Sequence, residues 1–211
     1  MRAAARPETM HAARIEQVLA LITDLRPRRV LDLGCGSGAL LSPLARMPDI
    51  EEAVGIDVSD EALAACRAEL ARLDAAAAAK ARVLRMSFAD PDAALAGFDL
   101  AVMLETIEHV ESDRLSQVER GVFLLLRPRH VLITTPNAEM NALLGVPAHR
   151  FREADHRFEW TRAKFERWAH GVAARCDYQV RLLPIGVEHP TQGAPTQAAL
   201  FSQSAGETIH E

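Results

Sequence analysis

Apolar residues recur with helical spacing at Ile15, Val18, Leu19, Ile22 and Leu25, and the pattern stops at Arg26-Pro27. This predicts a first helix over residues 8–25. Short apolar runs then replace the periodicity, at 30–33, 53–57, 82–86, 98–104 and 130–135. These read as strands of a sheet covered on both faces. Helical stretches lie between them: 38–46, then from a Ser59 or Asp60 cap through the Ala-rich segment to about residue 80, then 112–125. Thr161 caps a last helix that runs to about Arg175, and strands follow at 178–183 and 197–202. Strands alternating with helices predict an α/β fold, a doubly wound and mostly parallel sheet with helices on both faces. The last two of its seven strands have no helix between them, so they form a C-terminal antiparallel hairpin.

Composition narrows the class. With 211 residues, 49% hydrophobic and 25% charged, the chain reads as a single globular domain over 1–211. Residues 1–7 read as a frayed tail rather than an export signal. No apolar run approaches the ~20 residues that span a bilayer, so no membrane partner is expected. Cys35, Cys66 and Cys176 are odd in number and widely spaced, which suggests reduced thiols and a cytoplasmic setting. The net charge of −5 argues against a general polyanion binder. Yet Arg150, Arg152, Arg157, Arg162, Lys164 and Arg167 crowd the irregular segment 138–160 and the start of the next helix. That run fits a local phosphate contact or, equally, a solvated face paired with Glu153, Glu159 and Glu166.

The stretch Val30-Leu31-Asp32-Leu33-Gly34-Cys35-Gly36-Ser37-Gly38 is strand, tight turn and helix start. Glycines let the backbone turn sharply and let a ligand approach. Asp57 ends the next strand, where a carboxylate can accept both hydroxyls of a ribose. The turn lacks the spacing of a pyrophosphate binder, and no Lys-Ser or Lys-Thr follows for a triphosphate. It resembles the glycine-rich motif of class I S-adenosylmethionine-dependent methyltransferases, a Rossmann-like fold. That resemblance implies S-adenosyl-L-methionine as cofactor. Asp32, Gly34, Gly36 and Gly38 would face its methionine half, Asp57 and Val58 its ribose, and Ser87 the adenine.

Leu104-Glu105-Thr106-Ile107-Glu108-His109-Val110 puts two carboxylates and an imidazole directly after the fourth strand. In a helical turn, positions 105, 108 and 109 share a face. On these residues alone, a half-shell for a divalent cation and an ordinary helix start rich in Glu are evenly matched. A second His would favour the metal, and His149 and His156 both lie in the irregular segment.

Four strings occur in order: Glu105-Thr-Ile-Glu108-His109, Thr134-Thr135-Pro136-Asn137, Asp155-His156-Arg157-Phe158-Glu159-Trp160-Thr161-Arg162 and Pro195-Thr196-Gln197. Together they resemble the 3′-terminal RNA ribose 2′-O-methyltransferases, above all the bacterial RNA-repair branch, over about residues 10–201. The resemblance implies Glu105, Glu108, His109 and His156 as metal ligands, with Glu108 and His109 the catalytic candidates. It places Arg14 in the leading helix at the RNA end, and 138–160 becomes a substrate- and metal-side insertion. The expected substrate is an RNA with free 3′-terminal 2′,3′-hydroxyls, contacted by Arg14, Asn137, Arg152, Arg157 and Arg162. A polynucleotide kinase–ligase repair partner is a further implication. Two departures stand out: Glu153-Ala154 occupies the region where the family often has another His, and 211 residues leave no room for the N-terminal ligase-activating domain of many bacterial members.

The chemistry is coherent. A cation on a ribose hydroxyl lowers its pKa, and four protein ligands leave two octahedral positions for a vicinal diol. Mixed oxygen and nitrogen donors suit Mn2+ or Mg2+, with Co2+ and Zn2+ as further candidates. An unligated His109 titrates in the range needed to take the proton; a ligated one does not. Phe158 and Trp160 favour the core over base stacking. The nearest rival is a metal-independent S-adenosylmethionine methyltransferase of small molecules, which would keep full activity in chelator. A metallohydrolase would not need the glycine turn with Asp57, and a non-catalytic binder of RNA 3′ ends would transfer no methyl group.

Overall fold

The computed structural model describes residues 7–204. The expected frayed tail, 1–7, lies outside the described residues except for Pro7, where α1 (Pro7–Leu25) begins. The chain continues through β1 (Arg29–Leu33), α2 (Leu41–Arg46), β2 (Glu52–Asp57), α3 (Asp60–Leu70), α4 (Ala75–Ala78), β3 (Ala81–Arg85) and β4 (Leu100–Leu104). Then come α5 (Leu115–Glu119), β5 (His130–Pro136), α6 (Arg162–Cys176), β6 (Tyr178–Ile185) and β7 (Thr196–Gln203).

One seven-stranded sheet forms, in the order β3-β2-β1-β4-β5-β7-β6. The first five strands pair in parallel, and β7 runs antiparallel to both β5 and β6. The hairpin is therefore present, with its second strand inserted between β5 and β6. The central strands β1, β4 and β5 are apolar and almost wholly buried, because helices cover both faces. Alternate side chains feed two cores. Leu31, Met103, Phe123, Phe165 and Phe201 pack on one face. Val18, Ile22, Val30, Leu44 and Leu63 pack on the other, under α1, α2 and α3. Sheet order reverses beside β1, so a crevice opens beyond the carboxyl ends of β1 and β4.

Two helices differ from the expectation. The Ala-rich stretch does not continue α3: the chain leaves the helix at Ala71, and Asp74 caps a fresh turn by accepting from Ala77 N–H at 2.9 Å. A side-chain cap competes with helix continuation even in an Ala-rich context. Residues 112–125 are not one uniform helix either: a 3-10 turn (Ser112–Arg114) leads into α5, which widens into a π-helix (Arg120–Leu126). Gly121 there lies so close to Phe88 and Pro91 that an added Cβ would sit 2.9 Å from the Phe88 carbonyl oxygen. No described helix is long and apolar enough to cross a membrane.

Candidate active site

The turn after β1 is held open by backbone conformation. Gly34, Gly36 and Gly38 have φ of +85°, +53° and +90°, a region costly for side chains with a Cβ. Asp57, at the end of β2, accepts from Gly36 N–H and Ser59 N–H, each at 2.9 Å, which fixes its carboxylate against the turn. A cleft of ≈ 650 Å³ lies beside it, lined by Gly34, Asp57, Val58, Ser87 and Phe88 together with Glu105, His109 and Arg157. Val58 is 60% exposed, an apolar surface directed at solvent beside that cleft. Asp32 is 2% exposed and its Oδ2 has no partner. Burial, reinforced by the charge of Asp57, pushes its pKa up to about 7. At Gly38 an added Cβ would be 2.7 Å from Cys66 Sγ, so the missing side chain also serves packing.

Gly34 links this turn to the acidic segment. A Cβ there would be 2.3 Å from Thr106 Cγ2. Gly34→Ala is expected to lower stability by roughly 1–3 kcal/mol from backbone strain alone. It should also weaken cofactor binding by displacing Thr106; a thermal melt and cofactor titration check both.

The acidic segment is not a helix face. Glu105 has φ +51°, in the left-handed region, and only Ile107–His109 forms a 3-10 turn. Tertiary partners take over. Thr134 Oγ1 donates to Glu105 Oε1 at 2.9 Å, and Thr135 Oγ1 donates to Glu108 Oε2 at 3.0 Å. Arg14, from α1, lies 3.1 Å from Glu105 Oε2. Burial raises the Glu105 pKa, opposed by the Arg14 charge. Glu108 is fully buried and its Oε1 has no partner. Burial, with the neighbouring Glu105 charge, raises its pKa well above the usual range.

His156 arrives from the insertion. Arg157 N–H donates to the Glu108 carbonyl at 2.7 Å, pinning the loop to the acidic segment. Among the described residues, Glu108, His109 and His156 each bring a ligand atom within 4.8 Å of the others. The two rings meet edge to face, with centroids 4.9 Å apart. Each imidazole has a carboxylate behind it: Nδ1 of His156 lies 2.6 Å from Glu159, and Nδ1 of His109 lies 3.1 Å from Asp155. Such partners accept a hydrogen bond from Nδ1–H and leave the Nε2 lone pair free for a metal. Burial lowers the pKa of His109, opposed by Asp155. A buried carboxylate oxygen without a partner beside two oriented imidazoles fits a divalent cation. Glu105, expected as a fourth ligand, is outside this trio and engaged by Arg14 and Thr134.

The expected RNA contacts fare unevenly. Arg157 lines the cleft. Arg14 is at the site, but its guanidinium is spent on Glu105 and Thr196. Asn137 is fully buried and donates to the Gln192 and Ala194 carbonyls, holding two loops together. Arg152 is likewise internal, donating to Asn141, Pro195 and Asn137. Arg162 bonds Glu139 and the Thr191 carbonyl, away from the cleft. Phe158 and Trp160 are core, stacked at 4.3 Å, as expected. Asp155, Thr134 and Thr135 received no role from the sequence, and Glu159 only that of an arginine partner, although all four lie inside the strings quoted above. Their spacing carries no period that points at their partners.

Comparison with known proteins now bears on this geometry. Residues 30–129 match a methyltransferase domain family model. The chain is 36% identical to a small RNA 2′-O-methyltransferase of Mus musculus, covering 93% of this chain and 52% of that protein. It thus spans about half the length of that curated relative. The solved methyltransferase domain of bacterial CtHen1-C is 35% identical, with a TM-score of 0.83, covering 93% of this chain and 100% of that one. The small RNA methyltransferase HEN1 is 31% identical, with a TM-score of 0.84, covering 97% of this chain and 27% of that one. The fold is that of the class I S-adenosylmethionine-dependent methyltransferases, and through its match to the whole CtHen1-C domain the chain belongs to the family of Hen1 methyltransferase domains.

Proposed function

We propose that this chain transfers a methyl group from S-adenosylmethionine to the 2′-hydroxyl of the 3′-terminal nucleotide of an RNA, with a divalent cation at Glu108, His109 and His156. The observation that carries the reading is a shared cleft: Gly34, Asp57 and Val58 line it together with Glu105 and His109. A donor held by the first group therefore abuts whatever the second group holds.

The chain's own residues divide the work. Asp57 presents its carboxylate to the donor's ribose, and the unpartnered Asp32 oxygen answers the charge of its amino acid half. Val58 and Phe88 cover its apolar surface. Glu159 and Asp155 keep the imidazoles in one orientation, and Thr135 does so for Glu108. Glu105, held here by Arg14 and Thr134, would have to turn from them to become a fourth ligand. When bound, the cation supplies a lowered hydroxyl pKa and a fixed hydroxyl orientation. Positioning of the two reactants supplies much of the remaining acceleration. Arg157 stands at the cleft for a terminal phosphate. Use in RNA repair, beside a kinase–ligase partner in the cytoplasm, belongs to the proposal and rests on the sequence resemblance alone.

The test is methyl transfer to a short 3′-hydroxyl RNA, with Mn2+ or with chelator. The expected product resists periodate, because a 2′-methylated end has lost its vicinal diol. Full activity in chelator overturns the metal assignment, and a product still oxidised by periodate overturns the terminal position.

A further inference from the structure

The sequence holds seven Phe, two Trp and one Tyr. Among the described residues only one of these rings is exposed: Phe151, at 45%. A single exposed apolar side chain is ordinary on a protein surface. The mounting of this one is not. Arg152, the next residue, donates its backbone N–H to Glu159 Oε1 at 2.7 Å. The same oxygen lies 2.6 Å from His156 Nδ1. One peptide bond and two short hydrogen bonds thus separate the Phe151 backbone from an imidazole of the metal-ligand trio. The Arg152 side chain anchors the position further, through Asn141 Oδ1 at 2.8 Å and the carbonyls of Pro195, at 2.8 Å, and Asn137. Phe151 is thus an exposed ring whose backbone is tied through Arg152 and Glu159 to the metal-ligand trio. The exposed Arg150 precedes it.

An aromatic side chain in such a place is costly in water and useful to a single strand, whose unpaired bases stack on aromatic rings regardless of identity. We propose that Phe151 is a substrate-positioning residue: its ring stacks on one of the last two bases of the RNA and so sets the terminal ribose against the metal site. This inference rests on the proposed reaction at an RNA 3′ end.

The experiment pairs Phe151→Ala with RNAs made abasic at the last or second-to-last position. Phe151→Ala should lower kcat/KM for RNA roughly tenfold through KM, with the S-adenosylmethionine affinity and melting temperature unchanged. Phe151→Trp should keep most of the activity. In the parent enzyme, one of the two abasic RNAs should lose activity by a similar factor, and in Phe151→Ala that loss should vanish, since the base then has no ring to lose. A penalty for the abasic RNAs that persists undiminished in Phe151→Ala, or a normal RNA KM in that variant, overturns the inference. Absence of methyl transfer by the parent chain to any RNA end would instead overturn the proposed function, so the two failures are distinct.

Discussion

Glu108→Ala is expected to reduce methyl transfer to a 3′-hydroxyl RNA by about a thousandfold or more, in excess Mn2+, while S-adenosylmethionine binds as before. The size follows from what is removed. A metal's charge stabilisation is worth several kcal/mol, and each 1.36 kcal/mol is tenfold in rate. Glu108 is the buried carboxylate of the ligand trio, and no other carboxylate of the described residues joins that trio. The fold should tolerate the change. The bond that pins the insertion uses the Glu108 carbonyl, which alanine keeps. Removing a buried carboxyl with a raised pKa also removes a desolvation cost. Labelled transfer, cofactor calorimetry and a melting curve on the same preparation separate the outcomes. Transfer at the parent rate would end the metal reading; loss of cofactor binding as well would show that Glu108 acts on the donor instead.

Asp32→Asn is expected to stabilise the cofactor-free protein at neutral and alkaline pH, and to weaken S-adenosylmethionine binding. The folded-state pKa of Asp32 is raised from 3.8 to about 7 by full burial and then by the charge of Asp57. Between those two values the unfolded chain loses this proton and the folded chain keeps it, so stability falls as pH rises. The loss is complete above about pH 7 and amounts to roughly 4 kcal/mol, at 1.36 kcal/mol per pH unit. Asparagine carries no such penalty. The melting temperature of Asp32→Asn should match the parent near pH 4 and exceed it by on the order of 10 °C at pH 8. With saturating cofactor the order should reverse, because the parent gains binding energy that the variant has lost. A difference in melting temperature that does not vary with pH would show that Asp32 is not held protonated by its surroundings.

Much of the molecule was legible in one dimension. The strands announced themselves because a sheet covered on both faces needs near-continuous apolar runs, as in Val131, Leu132 and Ile133. The glycine turn and Asp57 were legible because both are local: a tight turn needs positive φ, and the carboxylate sits one strand later. The helical reading of 105–109 failed because Glu105 adopts a left-handed conformation stabilised by Thr134, twenty-nine residues away. The break at Asp74 was hidden by the strong helix propensity of its Ala neighbours.

Charge misled most. An arginine in a basic run looks the same whether it will face a phosphate or a carbonyl. Arg152 turned inward because three acceptors, at Asn137, Asn141 and Pro195, converge on it from two segments distant from each other in the chain.

The linear order of residues determined the fold class, the cofactor turn and the identity of the acids and imidazoles, since each depends on local spacing or on side-chain chemistry. The folded chain alone decided which of them meet. Glu108 is close to His156 because β4 ends beside β5 and the insertion folds back over both. Arg14 reaches Glu105 because α1 packs where the central strands end. Contacts between segments distant in the chain depend on packing and on buried hydrogen bonds, and neither leaves a period in the sequence.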